Sequence, residues 1–502
     1  MLLINPPVAK PCEPPAGIAR LSGALRAYGI RHRLLDANLE GLLFLLGLPQ
    51  AASDTWTKRA WKNRETHLAG LKDPATYRSL DKYRRAVLDL ERVLATASVK
   101  SCATVGLANY QHRNLSPHKS SDLLQAAEQF EKSPFFPYFE QRLTSLIEQE
   151  RGDLVGISLN YLSQAIPTFN LIGFLKRRFP GIRIVLGGGL VTSWQRGIGK
   201  DDLFSGLVDV VVAGPGEGEL LRLHGINPGN GEPCLPDYSG LPVKAYLSPG
   251  MILPYSGSSG CWWNKCSFCP ERAEGNPYLP VPADVMISQV QELTKQYTPS
   301  MIHLLDNAVS VRHLKALIEN PPGAPWYGFA RAGKELADEE FCRALKKSGC
   351  VMLKLGLESG DQGVLDALGK GMELETASRT LRSLKKAGIA TFVYLIFGTP
   401  QEDRLSALKT LQFTVEHRDA IDYLNLAIFN MPVRGGEAEK YGSGTFSEGD
   451  LSLYTDFRHP TGWGRKEVRK FLDTEFKAHP AIRPIINREL PIFGSNHAAF
   501  FV

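Results

Sequence analysis

From Ile252 to Phe429 the sequence holds six short, mainly apolar runs separated by longer stretches with apolar residues at helical spacing. The runs fall near 252–256, 301–305, 326–331, 351–357, 391–397 and 423–429, and a helix after the first of them carries Met286, Val290 and Leu293. Strands joined through helices run parallel, because a helical crossover returns the chain to the end from which it left. Six such units predict a parallel (β/α)6 barrel, or part of one, over residues 251–432. In barrels of this kind the chemistry sits in loops at the carboxyl ends of the strands.

Upstream, LLIN at 2–5 reads as a strand, 16–28 as a helix and Arg31 to Asn38 as a second strand, a βαβ opening. The rhythm then stops: Tyr83, Val87, Leu90 and Leu94 recur at helical spacing, with no convincing strand alternation over 42–150. Strands return at Leu154 to Leu159, Ile182 to Leu186 and Val208 to Val212, with a helix over 164–179. Residues 1–41 and 151–225 are thus expected to form one doubly wound, Rossmann-like α/β domain interrupted by a helical insertion at 42–150. Pro- and Gly-rich residues 226–250 read as a linker, and 433–502 as a C-terminal extension. At 502 residues the chain exceeds what one hydrophobic core holds, which agrees with several domains.

The formal net charge of +6 is small for this length and carries little weight for a nucleic-acid partner. The opening MLLINPPVAK has too short an apolar stretch for a signal peptide, and Gly41 to Leu48 is too short to span a bilayer, so a cytoplasmic protein without a membrane partner is expected. Of the eight cysteines, five are scattered and three lie within nine positions. That is no disulfide framework.

The three form Cys261-Trp-Trp-Asn-Lys-Cys266-Ser-Phe-Cys269, a C-x4-C-x2-C loop just past the first barrel strand. Three thiolates in a Gly-flanked loop can converge on one centre, and on a four-iron cubane they leave one iron open for a ligand. A structural zinc site normally takes four protein ligands, so the competing reading needs a distant fourth ligand. A binding module stapled by metal, without catalysis, is the reading from another functional class.

With this loop at this place the chain resembles the radical S-adenosylmethionine (SAM) superfamily, in the branch with an N-terminal cobalamin-binding domain. The family's first spacing is more commonly three residues than four. The resemblance implies that Cys261, Cys266 and Cys269 hold a [4Fe–4S] cluster and that Phe268, the aromatic before the last cysteine, packs near the adenine of SAM. It continues at Leu304-Leu305-Asp306-Asn307, Gly328-Phe329-Ala330-Arg331 and Gly356-Leu357-Glu358-Ser359-Gly360-Asp361, each at a strand end, where Asp306, Arg331, Glu358 and Ser359 are implied to contact SAM. Lys370-Gly371 and Gly398 to Glu402 match further recurrent positions. Read singly, each is more simply a packing or surface residue. The implied chemistry is reductive cleavage of SAM to a 5′-deoxyadenosyl radical, with an electron donor such as flavodoxin or ferredoxin.

The N-terminal domain resembles the cobalamin-binding type: Ser158-Leu159-Asn160 fits an S-x-L segment, Gly187-Gly188-Gly189 a Gly-rich loop, and Asp209 to Gly214 with Pro215-Gly216 the closing segment. Ser158, Leu159, Gly187, Gly188, Gly189, Gly214 and Gly216 are the implied cofactor contacts, small residues that let backbone approach a bulky ligand. One departure is that no D-x-H-x-x-G motif supplies a histidine to cobalt; Asp36-Ala-Asn38-Leu-Glu-Gly41 has its spacing with Asn, after the second strand. The expected function is cobalamin-dependent methylation of an unactivated carbon in a small-molecule substrate. The alternative is non-methylating radical cyclisation or rearrangement, with or without cobalamin. An RNA or protein methylthiotransferase ranks below both, since neither a second cysteine triad nor a C-terminal RNA-binding barrel is recognisable. Tyr454 to Trp463 and Phe493 to His497 are polar and aromatic enough to line a substrate cavity, although His497 reads more simply as a docking residue of the tail.

Overall fold

The computed structural model describes residues 1–49, 54–150, 152–198, 204–227, 229, 233–445, 448–491 and 496–502. It divides into two compact units: Met1–Met251 with Glu448–Leu453 and Pro491–Asn496, and Ile252–Ser447 with Tyr454–Leu490 and His497–Val502.

The first unit is built on a parallel sheet of β1 (Leu2–Asn5), β2 (Arg33–Asp36), β3 (Leu154–Ser158), β4 (Arg183–Gly187) and β5 (Val210–Val211), in the order β2-β1-β3-β4-β5. Every residue of β1 and β3 is buried, as expected of parallel strands covered on both faces. In register, Leu2 lies between Arg33 and Val155. The order reverses beside β1, so the carboxyl ends of β1 and β3 flank the switch point where open α/β sheets bind ligands. Gln164, fully buried in helix Leu162–Arg178, holds that point together. Its amide donates to Asn5 Oδ1 (3.2 Å) and the Pro6 carbonyl (2.7 Å), and its Oε1 accepts from the backbone N–H of Asn160 and Tyr161.

The 42–150 segment is mostly helical, and helix Leu80–Ser98 buries Tyr83, Val87, Leu90 and Leu94 as their spacing requires. It also holds an antiparallel hairpin, Ala103–Val105 with Tyr110–His112, which sequence reasoning misses because strands of three residues are too short to show alternation. The boundary at 42 falls inside helix Ala37–Gly47. Helix Ser120–Glu128 lies directly on helix Leu162–Arg178, where a Cβ on Gly173 would come within 1.9 Å of the Ala127 carbonyl oxygen. Described residues of 226–250 contain no helix or strand, yet they are docked and not a free linker. Tyr238 and Tyr246 are buried, Tyr246 donates to Asp36 (2.7 Å), and Asp237 accepts from Ser22 (3.0 Å).

The second unit is a six-stranded parallel sheet of β6 (Ile252–Tyr255), β7 (Met301–Leu304), β8 (Trp326–Ala330), β9 (Cys350–Glu358), β10 (Ala390–Phe397) and β11 (Tyr423–Ile428), paired in chain order. β6 and β11 are its two edges, so the barrel is partial. Helix Ala283–Tyr297 buries Met286, Val290 and Leu293. In the C-terminal extension, His497 packs against Phe392 (4.6 Å between centroids) and Tyr423 (4.7 Å), a docking contact; Phe493 to Ser495 lie outside the described residues. No helix among the described residues is long and apolar enough to cross a membrane.

Candidate cluster and cofactor sites

The three cysteines follow β6 on one loop, and that loop is clamped onto the turn Leu368 to Gly371. Trp263 Nε1 donates to the Gly369 carbonyl (3.0 Å) and the Ser267 N–H to the Leu368 carbonyl (2.9 Å). Gly371 has a φ of +59°, and a Cβ there would stand 2.1 Å from the Trp263 ring, so only glycine lets the indole lie flat on the turn. This accounts for Lys370-Gly371 being singled out by resemblance: the pair shapes the seat of the cysteine loop.

Cys266 is buried, and Cys261 and Cys269 are partly so. Burial pushes the Cys266 thiol up, against the pull of Lys370 and Arg331 toward thiolate, while Glu358 and Cys261 add to the rise. Burial also pushes Cys269 up to about 11. Burial thus favours the protonated form at Cys266 and Cys269, and a metal centre would displace those protons. Among the described residues no three His, Cys, Asp or Glu side chains stand closely enough to hold one metal ion. One zinc draws its thiolates to within about 2.3 Å of a single centre. Thiolates on three corners of a cubane stand further apart, so this spacing does not count against a cluster, and the soft three-thiolate donor set fits one.

Arg331, at the end of β8, lies over Trp263 (4.1 Å to the centroid) and Trp262 (5.5 Å), and donates to the carbonyls of Lys370 (2.5 Å) and Gly371 (3.4 Å). Glu358 ends β9 at a bulge with a φ of +70°, a conformation that costs a non-glycine residue energy and that clusters at functional sites. Its carboxylate pairs with Lys370 at 2.8 Å, the two side chains being 12% and 7% exposed. Lys370 Nζ in turn stands 5.9 Å from the Phe268 ring. Cys266, Phe268, Arg331, Glu358 and Lys370 are thus brought together at the carboxyl ends of β6, β8 and β9.

Two other implied contacts are occupied within the protein. Asp306 is buried, accepts from the Gly257 N–H (2.9 Å) and the Ser258 hydroxyl (2.5 Å), and burial raises its carboxyl above the usual range. It braces the loop that leads into Cys261. Ser359, fully buried, meets Thr410 Oγ1 (3.1 Å) and accepts from the Asp361 N–H (3.1 Å).

At the carboxyl edge of the N-terminal sheet, the Ser158 hydroxyl accepts from Asn160 Nδ2 (3.1 Å), and the Leu159 N–H donates to the Gly187 carbonyl (2.7 Å). Gly188 has a φ of +113°, and its Cβ would meet the Leu159 carbonyl oxygen at 2.4 Å. Its glycine is demanded by the neighbouring strand. Gly189, exposed at the start of helix Gly189–Ile198, has no such crowding: the nearest atom to its Cβ would be Asn160 Oδ1 at 3.7 Å. Gly214 donates to Thr192 Oγ1 (2.9 Å), and Gly216 precedes helix Glu217–Leu223. Tyr161, beside the switch point, is 60% exposed. Asn38, in the place of the missing histidine, both donates to and accepts from the backbone of Ala9, so it pins the loop after β1.

Sequence reasoning missed Gln164 and the two tryptophans between the cysteines, and it marked Glu402 only as the end of a matching segment, with no role of its own. Glu402 accepts from Trp463 Nε1 (2.9 Å) and the Gly398 N–H (2.5 Å), and burial lifts it to about 7. Trp262-Trp263 was a usable signal, because two large indoles in a ligand loop need something flat or cationic to pack on.

Residues 255–414 match the model of the radical SAM superfamily. Over 204 residues the chain is 24% identical to an uncharacterised methyltransferase of Pyrococcus horikoshii, covering 39% of this chain and 43% of that one. Over 198 residues it is 26% identical to the anaerobic magnesium-protoporphyrin IX monomethyl ester cyclase of Rubrivivax gelatinosus, covering 38% and 35%. The chain thus spans less than half the length of either relative. Among solved structures it resembles the radical SAM methyltransferase TsrM of Kitasatospora setae with cobalamin and [4Fe–4S] cluster bound, at a TM-score of 0.50 and 16% identity over 86% of this chain and 72% of that one. It also resembles the cobalamin-dependent radical SAM enzyme OxsB, at 0.51 and 14% over 74% and 68%. The chain therefore carries a radical SAM domain and has the fold of the superfamily's cobalamin-dependent members.

Proposed function

We propose that this radical SAM enzyme holds a [4Fe–4S] cluster on Cys261, Cys266 and Cys269 and, with cobalamin on its N-terminal sheet, methylates an unactivated carbon of a small-molecule substrate. The observation that carries the reading is the three-thiolate loop at the carboxyl end of β6, clamped on Leu368 to Gly371 and faced by Arg331, Glu358 and Lys370. Bound there, the cluster supplies the electron that breaks the sulfonium bond of SAM, and cobalamin supplies a methyl carrier. Phe268 offers a flat face for adenine. Asp306 and Ser359, with their polar atoms engaged, act as positioning residues; Glu358 and Lys370 border the SAM site as a pair. On the N-terminal sheet, Ser158, Leu159, Gly187 to Gly189, Gly214 and Gly216 form the edge offered to cobalamin, with Gly189 the open position. The sequence lacks the D-x-H-x-x-G motif, so these strand-end and loop residues, not a histidine of that motif, would hold the cofactor. The partners are the substrate and a low-potential one-electron donor such as flavodoxin or ferredoxin.

One relative favours a second reading: the Rubrivivax cyclase is named for ring closure, not methyl transfer. Anaerobic purification with cobalamin supplied, followed by an optical spectrum and metal analysis, tests the methyl carrier that only the first reading requires. The methyltransferase reading expects about four irons and about one cobalt per chain. Iron without cobalt removes the methyl carrier and leaves cyclisation or rearrangement; absence of both defeats the proposal.

A further inference from the structure

Reduction of a three-cysteine cluster makes an already anionic centre one charge more negative, so the fixed charges around it set how readily the electron enters. Around Cys266 stand three charged side chains: Arg331, Lys370 and Glu358. Arg331 is held against the indoles of Trp262 and Trp263 and by two carbonyl oxygens of the turn, which fixes its guanidinium beside the cysteine loop and partly shields it from water. Lys370 and Glu358 form a buried pair at 2.8 Å and cancel one another. Glu271 lies toward Cys269, and Lys265, on the Trp263 ring, is exposed to screening by water. Around Cys266 itself, two cations and one carboxylate leave one net positive charge, where partial burial strengthens its effect.

We infer that Arg331, seated on Trp262 and Trp263, is the residue that sets the reduction potential of the cluster, with the Lys370–Glu358 pair as its neutral counterweight. The inference rests on the cluster assignment above. The electron comes from the low-potential donor and stays on the cluster; no bond is made or broken at Arg331. Replacing Arg331 by Gln removes the uncompensated charge and makes the reduced state harder to reach. Replacing Glu358 by Gln keeps an oxygen for Lys370 to bond, frees the charge of Lys370, and acts in the opposite sense.

The test is a potentiometric titration of the anaerobically reconstituted chain, without SAM, followed by electron paramagnetic resonance. Arg331→Gln is expected to weaken reduction about tenfold, a midpoint about 59 mV lower for one electron. Glu358→Gln is expected to raise the midpoint by a similar factor. Opposite signs from two near-isosteric changes are not produced by a loosened loop, which shifts both the same way. Should Arg331→Gln fail to take up iron, Glu358→Gln decides by its sign. Fully loaded variants with the parent's midpoint, or with shifts of one sign, overturn the inference. A parent that takes up no cluster overturns the cluster assignment itself.

Discussion

Alanine at Cys261, Cys266 or Cys269 is expected to abolish iron and sulfide uptake and all SAM cleavage, while Cys102→Ala retains both at parental levels. A three-cysteine site has no spare thiolate, so losing one leaves a second iron without a protein ligand. The other cysteines of the second unit, Cys342 on helix Glu339–Lys347 and Cys350 on β9, offer no substitute: both are buried, and burial raises the Cys342 thiol to about 12, which favours the protonated form. Cys102 is a fair control because it is exposed and already carries a Cβ at a φ of +54°, so alanine adds no backbone strain. Iron and sulfide analysis with a chromatographic assay for 5′-deoxyadenosine reads both outcomes. Full iron in a triad variant would remove that cysteine from the ligand set.

The glycine loop of the N-terminal sheet separates folding from cofactor binding within two adjacent positions. Gly188→Leu is expected to destabilise the first unit by more than about 4 kcal/mol, because its Cβ would strike the Leu159 carbonyl and its φ of +113° is closed to leucine. Gly189→Leu is expected to fold with a thermal midpoint near the parent's, since its Cβ finds ordinary space and leucine suits a helix better than glycine. Its side chain would nevertheless project at the edge offered to cobalamin and weaken binding at least about tenfold, about 1.4 kcal/mol. Thermal unfolding beside cobalamin titration reads both effects. A Gly189→Leu chain that binds cobalamin as the parent does would take this loop out of the pocket.

These two glycines show where sequence reading stops. A run of three glycines announces a tight backbone approach, but only the sheet reveals that Gly188 approaches Leu159 while Gly189 is open. The strands are legible because parallel strands are buried on both faces and so stand out as mainly apolar runs, as Leu2 to Asn5 and Leu154 to Ser158 do. The cysteine loop is legible from spacing alone. The charges around it are not: Glu358 and Lys370 lie twelve positions apart, and Arg331 reaches Lys370 across thirty-nine, so their pairing exists only once β8 and β9 are side by side. Asp306 sits at a strand end as expected, yet its carboxylate faces the loop it braces, a choice made by the Gly257 N–H and Ser258 hydroxyl.

The most direct test of the account is the electron paramagnetic resonance spectrum of the reconstituted, chemically reduced protein before and after SAM is added. A cluster on three cysteines keeps one iron open, so the account predicts a reduced [4Fe–4S] signal that changes form when SAM binds that iron. Zinc in place of iron, or a cluster signal indifferent to saturating SAM, would contradict it.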